Sequence, residues 1–292
     1  MTRKVWLGEQ ETPSSCGPAC LKYALCVIGY SARESQLRRL ARTTWRGTQT
    51  RRLMSAARRF GVNPTLRIFV HDQWSEARTW LSHELGEGRP VILDVEGFNH
   101  YVVAVQALGA HVVILDPEGS TKRGRDYARV VLSSERRLRS WWLSSEAAGE
   151  EASFRGISLA PPAAPPPKGM PRPTGPRLSF SAAALRRAMA GRPWLLDEYL
   201  IDAVEIAARA RRSPGDPVPL ADVVRRLGGE WLVGRVAYWY EVRPALIAML
   251  KAHLEDIAVA AEAMSLTVPA EASSSVAVDV ATLLGLMLAA DD

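Results

Sequence analysis

The sequence predicts an α+β domain over residues 1–150 and a small all-α domain over residues 178–292, separated by a proline-rich linker over residues 151–177. Three observations lead to this division. The length of 292 residues is comfortable for two domains. Helical patterns give way to strand-like runs in the first half, whereas apolar residues recur at helical spacing through the second half. A dense run of prolines lies between the two halves.

The first half begins with helical segments and continues with strands. Gly29 and Gly61 are expected to end two of the helices, because glycine is common just beyond a helix end. The residues ALGA between the last two strands predict a hairpin. The segments are, in order, the helices CGPACLKYALCVIGY, ARESQLRRLARTT and TQTRRLMSAARRFGV, the strand NPTLRIFV, the helix DQWSEARTWLSHELGEG, and the strands RPVILDVE, NHYVVAVQ and HVVILDP.

The linker and the second half have a different pattern. Half of the residues from Pro161 to Pro176 are proline, so this stretch lacks the N–H donors of a sheet or helix and is expected to be an extended spacer. The second half is predicted to be an interaction or regulatory domain that binds a protein partner. Its predicted helices are SFSAAALRRAMAG, PWLLDEYLIDAVEIAARARR, PLADVVRRLGG, EWLVGRVAYWYEV and PALIAMLKAHLEDIAVAAEAM, with SSVAVDVATLLGLMLAA as a candidate for a last one.

The composition argues against secreted and membrane-spanning proteins. Three cysteines are too few for a disulfide framework and favour a reducing compartment. The first ten residues are basic but no apolar region follows them, so no secretory signal is expected. The longest apolar run, SVAVDVATLLGLMLAA, contains Asp279 and is shorter than the ~18 to 20 residues of a membrane span. We therefore expect a soluble, cytoplasmic protein.

Positive charge is concentrated in the first half. Residues 1–150 contain 22 lysines and arginines against 15 acidic residues, whereas residues 151–292 contain 15 against 16. The arginine pairs Arg38/Arg39, Arg51/Arg52 and Arg58/Arg59 are typical of solvated helix faces, which makes nucleic acid the less favoured partner. The charge also favours an acidic partner or peptide.

Cys16 stands at the predicted beginning of the first helix. Ser14 and Ser15 are good N-cap residues, and Pro18 suits a first helical turn. Unpaired backbone N–H groups and the helix dipole favour a thiolate there, and the thiolate is the nucleophilic form of cysteine. The other two cysteines lie within the helix and are interpreted as core residues.

A nucleophilic cysteine needs an imidazole beside it and a third group that orients the ring. His100 begins the strand HYVVAVQ, and Asp116 is near the end of the strand HVVILDP. With a turn at residues 107–110, Gln106 pairs near His111, and His100 falls opposite Asp116 or one residue away. The sequence therefore predicts an imidazole–carboxylate pair across the hairpin.

Gln10 precedes Cys16 by six residues and can donate its amide to a developing oxyanion.

Four segments within about residues 5–145 follow one another in a characteristic order: QETPSSCGPACL, SQLRRLARTTWRGTQTRRLMSAARRFGV, RPVILDVEGFNHYVVAVQ and HVVILDPEG. Together they resemble the bacteriocin-processing peptidases, which are papain-like cysteine peptidases that cut double-glycine leader peptides. The shared features are the Gln–Cys spacing, the Cys-Gly pair, the Gly-Thr after the second helix, the His-aromatic-Val-Val strand and the Asp-Pro.

The resemblance implies a papain-like α+β fold with Cys16 as nucleophile, His100 as general base and acid, Asp116 as the orienting residue and Gln10 at the oxyanion hole. It also implies a peptide or protein substrate that is cut after small residues such as Gly-Gly. The sequence departs from the family in two respects. Ser15 stands where members often carry an acidic or amide residue, and a helical half replaces the transporter of many members, with no G-x-x-x-x-G-K-[ST] phosphate loop.

Other functions compete with this one. The same nucleophile could act on an isopeptide or a ubiquitin-like tail, and a catalytically silent peptide-binding or adaptor module would use the same cleft. The segment PLADVVRRLGGEWLVGRVAYWYEV loosely suggests a helix-turn-helix, but the acidic balance of its half disfavours phosphate binding. No metal is expected, because Cys16 and Cys20 have no second pair at ligand spacing, and no cofactor fingerprint implies an organic cofactor.

Overall fold

The structure is a computed structural model. It describes residues 7–122, 125–145, 151–162, 203, 206–207, 215–227, 244–272, 276–277 and 279–280. It divides the chain into two compact units, which are described separately. The first comprises Met1–Thr121 and Asp126–Arg177, and the second comprises Lys122–Arg125 and Leu178–Asp292.

The helices of the first unit begin close to their predicted positions. Gly29 and Gly61 follow α1 and α3 with positive φ angles of 93° and 73°, a backbone conformation that favours glycine at a helix end. Lys22 is the one residue of α1 that is not buried, so this helix is apolar on almost every side and lies inside the unit. The helices are α1 (Cys16–Val27), α2 (Glu34–Leu40), α3 (Thr50–Arg58), α4 (Trp74–Gly86) and α5 (Glu135–Trp142).

A six-stranded sheet forms the other layer of the first unit, in the order β1-β6-β2-β3-β4-β5. The pairs from β1 to β4 in this order are all antiparallel. Helix α1 packs against β2 and β3, and residues of α4 and α5 form a core cluster with those of the central strands. An α+β fold is therefore confirmed. The strands are β1 (Asn63–Val70), β2 (Val91–Val95), β3 (His100–Leu108), β4 (His111–Lys122), β5 (Arg125–Ser134) and β6 (Ser153–Ala160).

Strand β6 lies within the range that the sequence analysis assigned to the linker. It pairs with β1 on one side and with β2 on the other, so the sheet continues past residue 150. Gly156 is placed against Trp80 of α4, where a Cβ atom would come within 2.8 Å of the indole ring. The strand is hard to recognise in the sequence because its one glycine, which weakens a strand pattern, is required by this close contact. Residues 163–177 of the predicted linker lie outside the described residues.

The described part of the second unit is not entirely helical. Two helices, α6 (Leu220–Leu227) and α7 (Pro244–Ala263), match predicted segments, and Arg225 of α6 forms ion pairs with Glu255 and Glu262 of α7. A short antiparallel pair of strands, β7 (Pro217–Pro219) and β8 (Thr267–Pro269), accompanies them, followed by a 3₁₀ turn over Ala270–Ala272.

The other predicted helices of this half lie wholly or mostly outside the described residues. The segments SFSAAALRRAMAG and EWLVGRVAYWYEV are not described at all, and only a few helical residues are described in PWLLDEYLIDAVEIAARARR and SSVAVDVATLLGLMLAA. Among the described helices, none combines the length and the apolar composition that a membrane crossing requires.

Candidate active site

Cys16 is the first residue of α1, as the sequence predicts. Its neighbour Ser15 occupies the N-cap position, but the Ser15 side chain does not cap the helix. The first N–H groups of any helix lack helical acceptors and carry the positive end of the dipole, so the sulfur is placed where negative charge is stabilised. Cys16 is buried, with 8% of its surface exposed.

His100 and Asp116 form a direct hydrogen bond, with His100 Nε2 2.8 Å from Asp116 Oδ1. The His100 side chain is 12% exposed and the Asp116 side chain is fully buried. The hydrogen bond to Asp116 uses one ring nitrogen of His100, and Cys16 lies close enough to His100 to raise its pKa. The structure thus brings together three of the four residues that the sequence analysis selected.

The hairpin that carries this pair has a different register from the one expected. The turn is shorter than the predicted ALGA, because Leu108 pairs with His111 and Gln106 pairs with Val113. A bulge between Ala104 and Gln106 then shifts the ladder by one residue.

Beyond the bulge, Val103 pairs with Leu115, so Asp116 is opposite residue 102 when the ladder is continued by one step. His100 and Asp116 are therefore diagonal neighbours on one face, at a separation that two long or polar side chains can bridge. His100 was expected opposite Asp116 or one residue away, and this register was wrong because the two residues are offset by two positions, although the contact between their side chains is present.

Asp116 has more partners than the sequence analysis anticipated. Its Oδ1 also accepts the backbone N–H of Glu118 at 3.0 Å, and its Oδ2 accepts a hydrogen bond from Nη2 of Arg129. Burial raises the pKa of Asp116, but the hydrogen bonds from His100, Arg129 and Glu118 outweigh burial and hold that pKa below its ordinary value. Arg129 was missed, because no local signal links a strand arginine to an aspartate thirteen residues earlier.

His100 is held in its protonated form. Burial lowers the pKa of His100, but its interactions with Asp116 and Cys16 raise it to about 10. The site therefore places a positive charge beside the Cys16 sulfur.

Gln10 lies on the segment that precedes Cys16, but its amide is not directed at the sulfur. Gln10 Nε2 donates to the carbonyl oxygen of Pro13 at 3.3 Å, and Gln10 Oε1 is buried without a hydrogen-bond partner. The backbone N–H of Gln10 donates to the carbonyl oxygen of Pro117, which follows Asp116. This bond joins the Gln10 segment to the strand that carries Asp116.

A second buried carboxyl group lies beneath this segment. Glu34 of α2 is 1% exposed, and its Oε1 accepts hydrogen bonds from the backbone N–H of Glu11 at 2.8 Å and from Ser15 Oγ at 2.6 Å. Its Oε2 is buried without a partner. Burial raises the pKa of Glu34, and the two hydrogen bonds only partly oppose that effect. Glu34 was missed because it reads as an ordinary first-turn acidic residue of α2.

Side chains of Thr48 and Tyr101 pack closely against Gly17, the residue that follows Cys16. A Cβ atom at Gly17 would come 3.3 Å from Cβ of Thr48 and 3.4 Å from the ring of Tyr101. The Tyr101 hydroxyl in turn lies 3.0 Å from Thr50 Oγ1. The Cys-Gly pair therefore fits a tight approach between α1, the segment before α3 and β3.

Among the described residues, one group could offer ligands to a metal ion: His100, Asp116 and Glu118, whose ligand atoms lie within 4.8 Å of one another. Both oxygens of Asp116 already accept hydrogen bonds, and one of these comes from the Arg129 guanidinium. A guanidinium on the same carboxylate repels a cation, so the arrangement suits a hydrogen-bonded imidazole–carboxylate pair better than a metal site.

A cysteine at a helix N-terminus, close to an imidazole that a carboxylate orients, is the arrangement of a cysteine peptidase. The model of the Peptidase C39 family matches residues 4–129 of the chain. The match indicates that this part of the chain is a papain-like cysteine peptidase. No curated protein matches the chain.

Several solved structures are similar to the chain. One is the peptidase domain of Streptococcus ComA, a bi-functional ABC transporter involved in a quorum sensing pathway, at 22% identity, covering 54% of this chain and 99% of that one, with a TM-score of 0.39. Another is a double glycine motif protease from an AMS/PCAT transporter in complex with the leader peptide, at 18% identity, 52% and 89% coverage and a TM-score of 0.38. The peptidase domain of Streptococcus mutans ComA gives 25% identity, 53% and 99% coverage and a TM-score of 0.35. With scores this low, the assignment rests on the family match.

Proposed function

We propose that this cysteine peptidase cleaves a peptide or protein after small residues, at a Gly-Gly-like site, with Cys16 as nucleophile, His100 as acid and base and Asp116 as the orienting residue. The observation that carries the proposal is the hydrogen bond between His100 and the buried Asp116, with Cys16 close enough to His100 to raise its pKa. Gln10 would complete an oxyanion hole with the backbone N–H of Cys16.

The proposed reaction has two steps. The Cys16 thiolate adds to the scissile carbonyl carbon, and the His100 imidazolium gives its proton to the leaving amine as the C–N bond breaks. Neutral His100 then takes a proton from water, which attacks the thioester, releases the acid product and restores the thiolate. Asp116 remains ionised throughout and keeps the ring in place, because its pKa lies below the ordinary value.

Stabilisation of the oxyanion by Gln10 requires one change in the hydrogen bonding of the site. Gln10 Nε2 now donates to Pro13, so its amide would have to leave that carbonyl to reach a tetrahedral intermediate. Hydrogen bonds of a catalytic site are often completed only in the substrate complex. A variant Gln10→Ala is expected to lose about 10² to 10³ in kcat, as removal of one oxyanion donor does in other acyl-transfer enzymes.

The preference for small residues is supported by the match to the Peptidase C39 family model. The close packing of Thr48 and Tyr101 against Gly17 explains only why the residue after Cys16 is a glycine.

Two further parts of the proposal concern the setting of the enzyme. All three cysteines are free, which supports work in a reducing compartment such as the cytoplasm. We also propose that the second unit binds a protein partner, and that it recruits substrate, restrains the peptidase or builds an oligomer. Removing residues 178–292 while retaining β6 is expected to lower activity if that unit recruits substrate and to raise activity if it restrains the enzyme.

The proposal is tested by alkylation of the three cysteines followed by mass spectrometry, from about pH 4 to 9, in the wild type and in His100→Ala. Cys16 should react well below the pH at which an ordinary thiol does, and this reactivity should be lost in the variant. Cys20 serves as an internal control, since burial raises the pKa of its thiol and it should stay inert. Cleavage of a Gly-Gly peptide by the wild type, but not by Cys16→Ala, would complete the test.

A catalytically silent peptide-binding module is the second candidate, because Gln10 is engaged with Pro13 rather than free for an oxyanion. If Cys16 titrates like an ordinary thiol in both proteins and Gly-Gly peptides bind without being cut, the binding module replaces the peptidase.

A further inference from the structure

A groove with a strongly basic lining lies between the end of α2 and α3. Its volume is about 600 Å³, and five arginines line it: Arg39, Arg42, Arg51, Arg52 and Arg59. Arg52 is half-buried and donates a hydrogen bond to the carbonyl oxygen of Arg42, whereas the other four are exposed. None of the five forms an ion pair with a described carboxylate, although their neighbour Arg38 pairs with Glu11. Five like charges around one groove repel one another, and an anionic occupant would relieve that repulsion.

The groove is linked to the candidate active site through one short segment of the chain. Gln49 lines the groove and stands between Thr48, which packs against Gly17, and Thr50, which is hydrogen-bonded to Tyr101. The groove and the catalytic residues belong to the same unit.

An exposed aromatic ring stands on the same segment. Trp45 is 81% exposed, at the tip of a turn that is closed by hydrogen bonds between Thr44 and Gly47. The guanidinium of Arg46 lies 4.7 Å from the centre of the ring. A large, solvent-exposed aromatic side chain near a basic groove is typical of a binding surface, because it becomes buried when a partner binds.

We propose that this groove binds an acidic segment of the peptide substrate at a distance from the scissile bond. The inference rests on the proposed peptidase function and adds a charge requirement to its substrate. Guanidinium groups form paired hydrogen bonds with carboxylates, so aspartates and glutamates are the side chains that the groove accepts. Trp45 then packs against an apolar residue next to the acidic segment.

A peptide fits the groove better than a nucleic acid does. Surfaces that hold single-stranded nucleic acid stack successive bases on aromatic side chains. The described lining of this groove consists of arginines with a leucine, a glutamine and a serine, and the exposed Trp45 adds a single ring, too few to stack successive bases. The groove belongs to the same unit as the candidate nucleophile, which favours a segment of the chain that is being cut.

Binding is measured first, without cleavage, by fluorescence anisotropy on the full-length chain. The probes are two labelled peptides with the same Gly-Gly site, one with a glutamate-rich extension and one with a glutamine-rich extension of equal length, each made with the extension on either side of the site. The glutamate peptide should bind about tenfold or more tightly than the glutamine peptide at low salt, and the difference should shrink as salt screens the charges.

The variant Arg51→Glu with Arg59→Glu should abolish this preference, since it reverses two exposed charges of the groove. The matched control is Arg67→Glu with Arg139→Glu, which makes the same change in net charge at exposed positions on β1 and α5 and should leave the preference intact. A neutral version, Arg51→Gln with Arg59→Gln, covers the case in which charge reversal prevents folding and should lose most of the preference.

Cleavage kinetics separate this inference from the proposed function. With an active enzyme, the groove variant should raise KM for the glutamate peptide about tenfold with kcat unchanged, and should cut a short Gly-Gly peptide normally. Charge-selective binding without any cleavage would support the groove and contradict the peptidase. Equal binding of both peptides, equal loss in the control variant, or tighter binding of a single-stranded oligonucleotide of equal charge would overturn the inference.

Discussion

Two buried carboxyl groups lie close to the beginning of α1, and their surroundings shift their pKa values in opposite directions. Asp116 is fully buried and Glu34 is 1% exposed. Asp116 accepts hydrogen bonds from an imidazole, a guanidinium and a backbone N–H, and its pKa is lowered. Glu34 accepts only from a backbone N–H and a hydroxyl, one oxygen has no partner, and its pKa is raised.

The difference shows that the charge of the partners, rather than the depth of burial, decides the direction in which the pKa of a carboxyl group near this site is shifted. Asp116 keeps a negative charge because two cationic side chains contact it, and that charge keeps His100 protonated. Glu34 has neutral donors and instead holds in place the segment from Glu11 to Ser15 that leads to Cys16. Asp116 therefore stabilises the protonated form of His100, whereas Glu34 positions the segment that precedes Cys16.

The largest expected effect comes from removal of the charged carboxylate. Asp116→Ala leaves the nearly buried His100 without its anion, and breaking such a buried pair costs about 3 kcal/mol of unfolding free energy, whereas the half-exposed Arg129 adds little. Cleavage should fall by about a hundredfold or more, because His100 loses both its orientation and its charge partner. Urea unfolding and peptide cleavage measure the two effects.

Glu34→Ala is the matched comparison. It leaves two neutral groups unsatisfied, so its loss of unfolding free energy should be smaller, about 1 to 3 kcal/mol. An equal or greater loss in Glu34→Ala would contradict the distinction between the two carboxyl groups.

The second prediction concerns the protonation of His100. In Asp116→Asn the pKa of His100 should fall from about 10 toward the ordinary 6.5, whereas Glu34→Gln should leave it unchanged. Nuclear magnetic resonance titration of the imidazole measures this directly. A His100 pKa that is the same in wild type and Asp116→Asn would show that Asp116 does not hold the proton on the ring.

Stability should follow the same change. A histidine whose folded pKa is raised stabilises the fold fully below its unfolded pKa of 6.5, and this contribution is lost as pH rises through about 10. The wild type should therefore lose unfolding free energy between these two pH values. The Asp116→Asn variant should lose much less over the same range.

Much of the fold and part of the site could be predicted because their signals are local. Helix α1 and strand β1 have dense apolar patterns and clear end signals, and both were found close to their observed bounds. Cys16 was selected because serines and a proline mark a helix N-terminus around it. His100 and Asp116 were selected because they stand at the ends of two strands that a short turn connects.

The remainder depends on contacts between residues that are far apart in the chain. The bulge at Ala104 changes the register without any turn residue to announce it, and β6 contains a glycine whose need arises from Trp80 of another element. Arg129 and Glu34 carry ordinary charges in ordinary positions, and only the folded chain brings them to Asp116 and Ser15. Periodicity and capping rules do not contain this information.

The third prediction weakens the charged surroundings of Asp116 without removing the carboxylate. Arg129→Gln should raise the pKa of Asp116 toward its ordinary 3.8. The Arg129 side chain is 44% exposed, so solvent screens its charge and the loss of unfolding free energy at neutral pH should be about 1 kcal/mol or less. Arg137→Gln, an exposed arginine of α5, is the control and should change neither quantity.

The pH dependence of this loss gives the sharper test. A carboxyl group with a lowered pKa stabilises the fold above its unfolded pKa, and this contribution is lost as pH falls through the folded pKa. Arg129→Gln should therefore differ most from the wild type above pH 3.8, and the two stability curves should converge in acid. A constant difference at every pH would mean that Arg129 acts by packing rather than through the charge of Asp116.

The smallest effect is expected for Glu34→Gln, which keeps an oxygen acceptor for Glu11 and Ser15 and removes the titratable proton. The change in unfolding free energy should stay within about 1 kcal/mol. Its sign should depend on pH, because a carboxyl group with a raised folded pKa costs the fold stability as pH rises from the unfolded value of 4.5 through the folded pKa. The variant lacks this cost, so it should gain on the wild type as pH rises above 4.5. Urea unfolding at acid and neutral pH measures the difference, and a variant that instead loses ground with rising pH would show that Glu34 is stabilised as an anion, like Asp116.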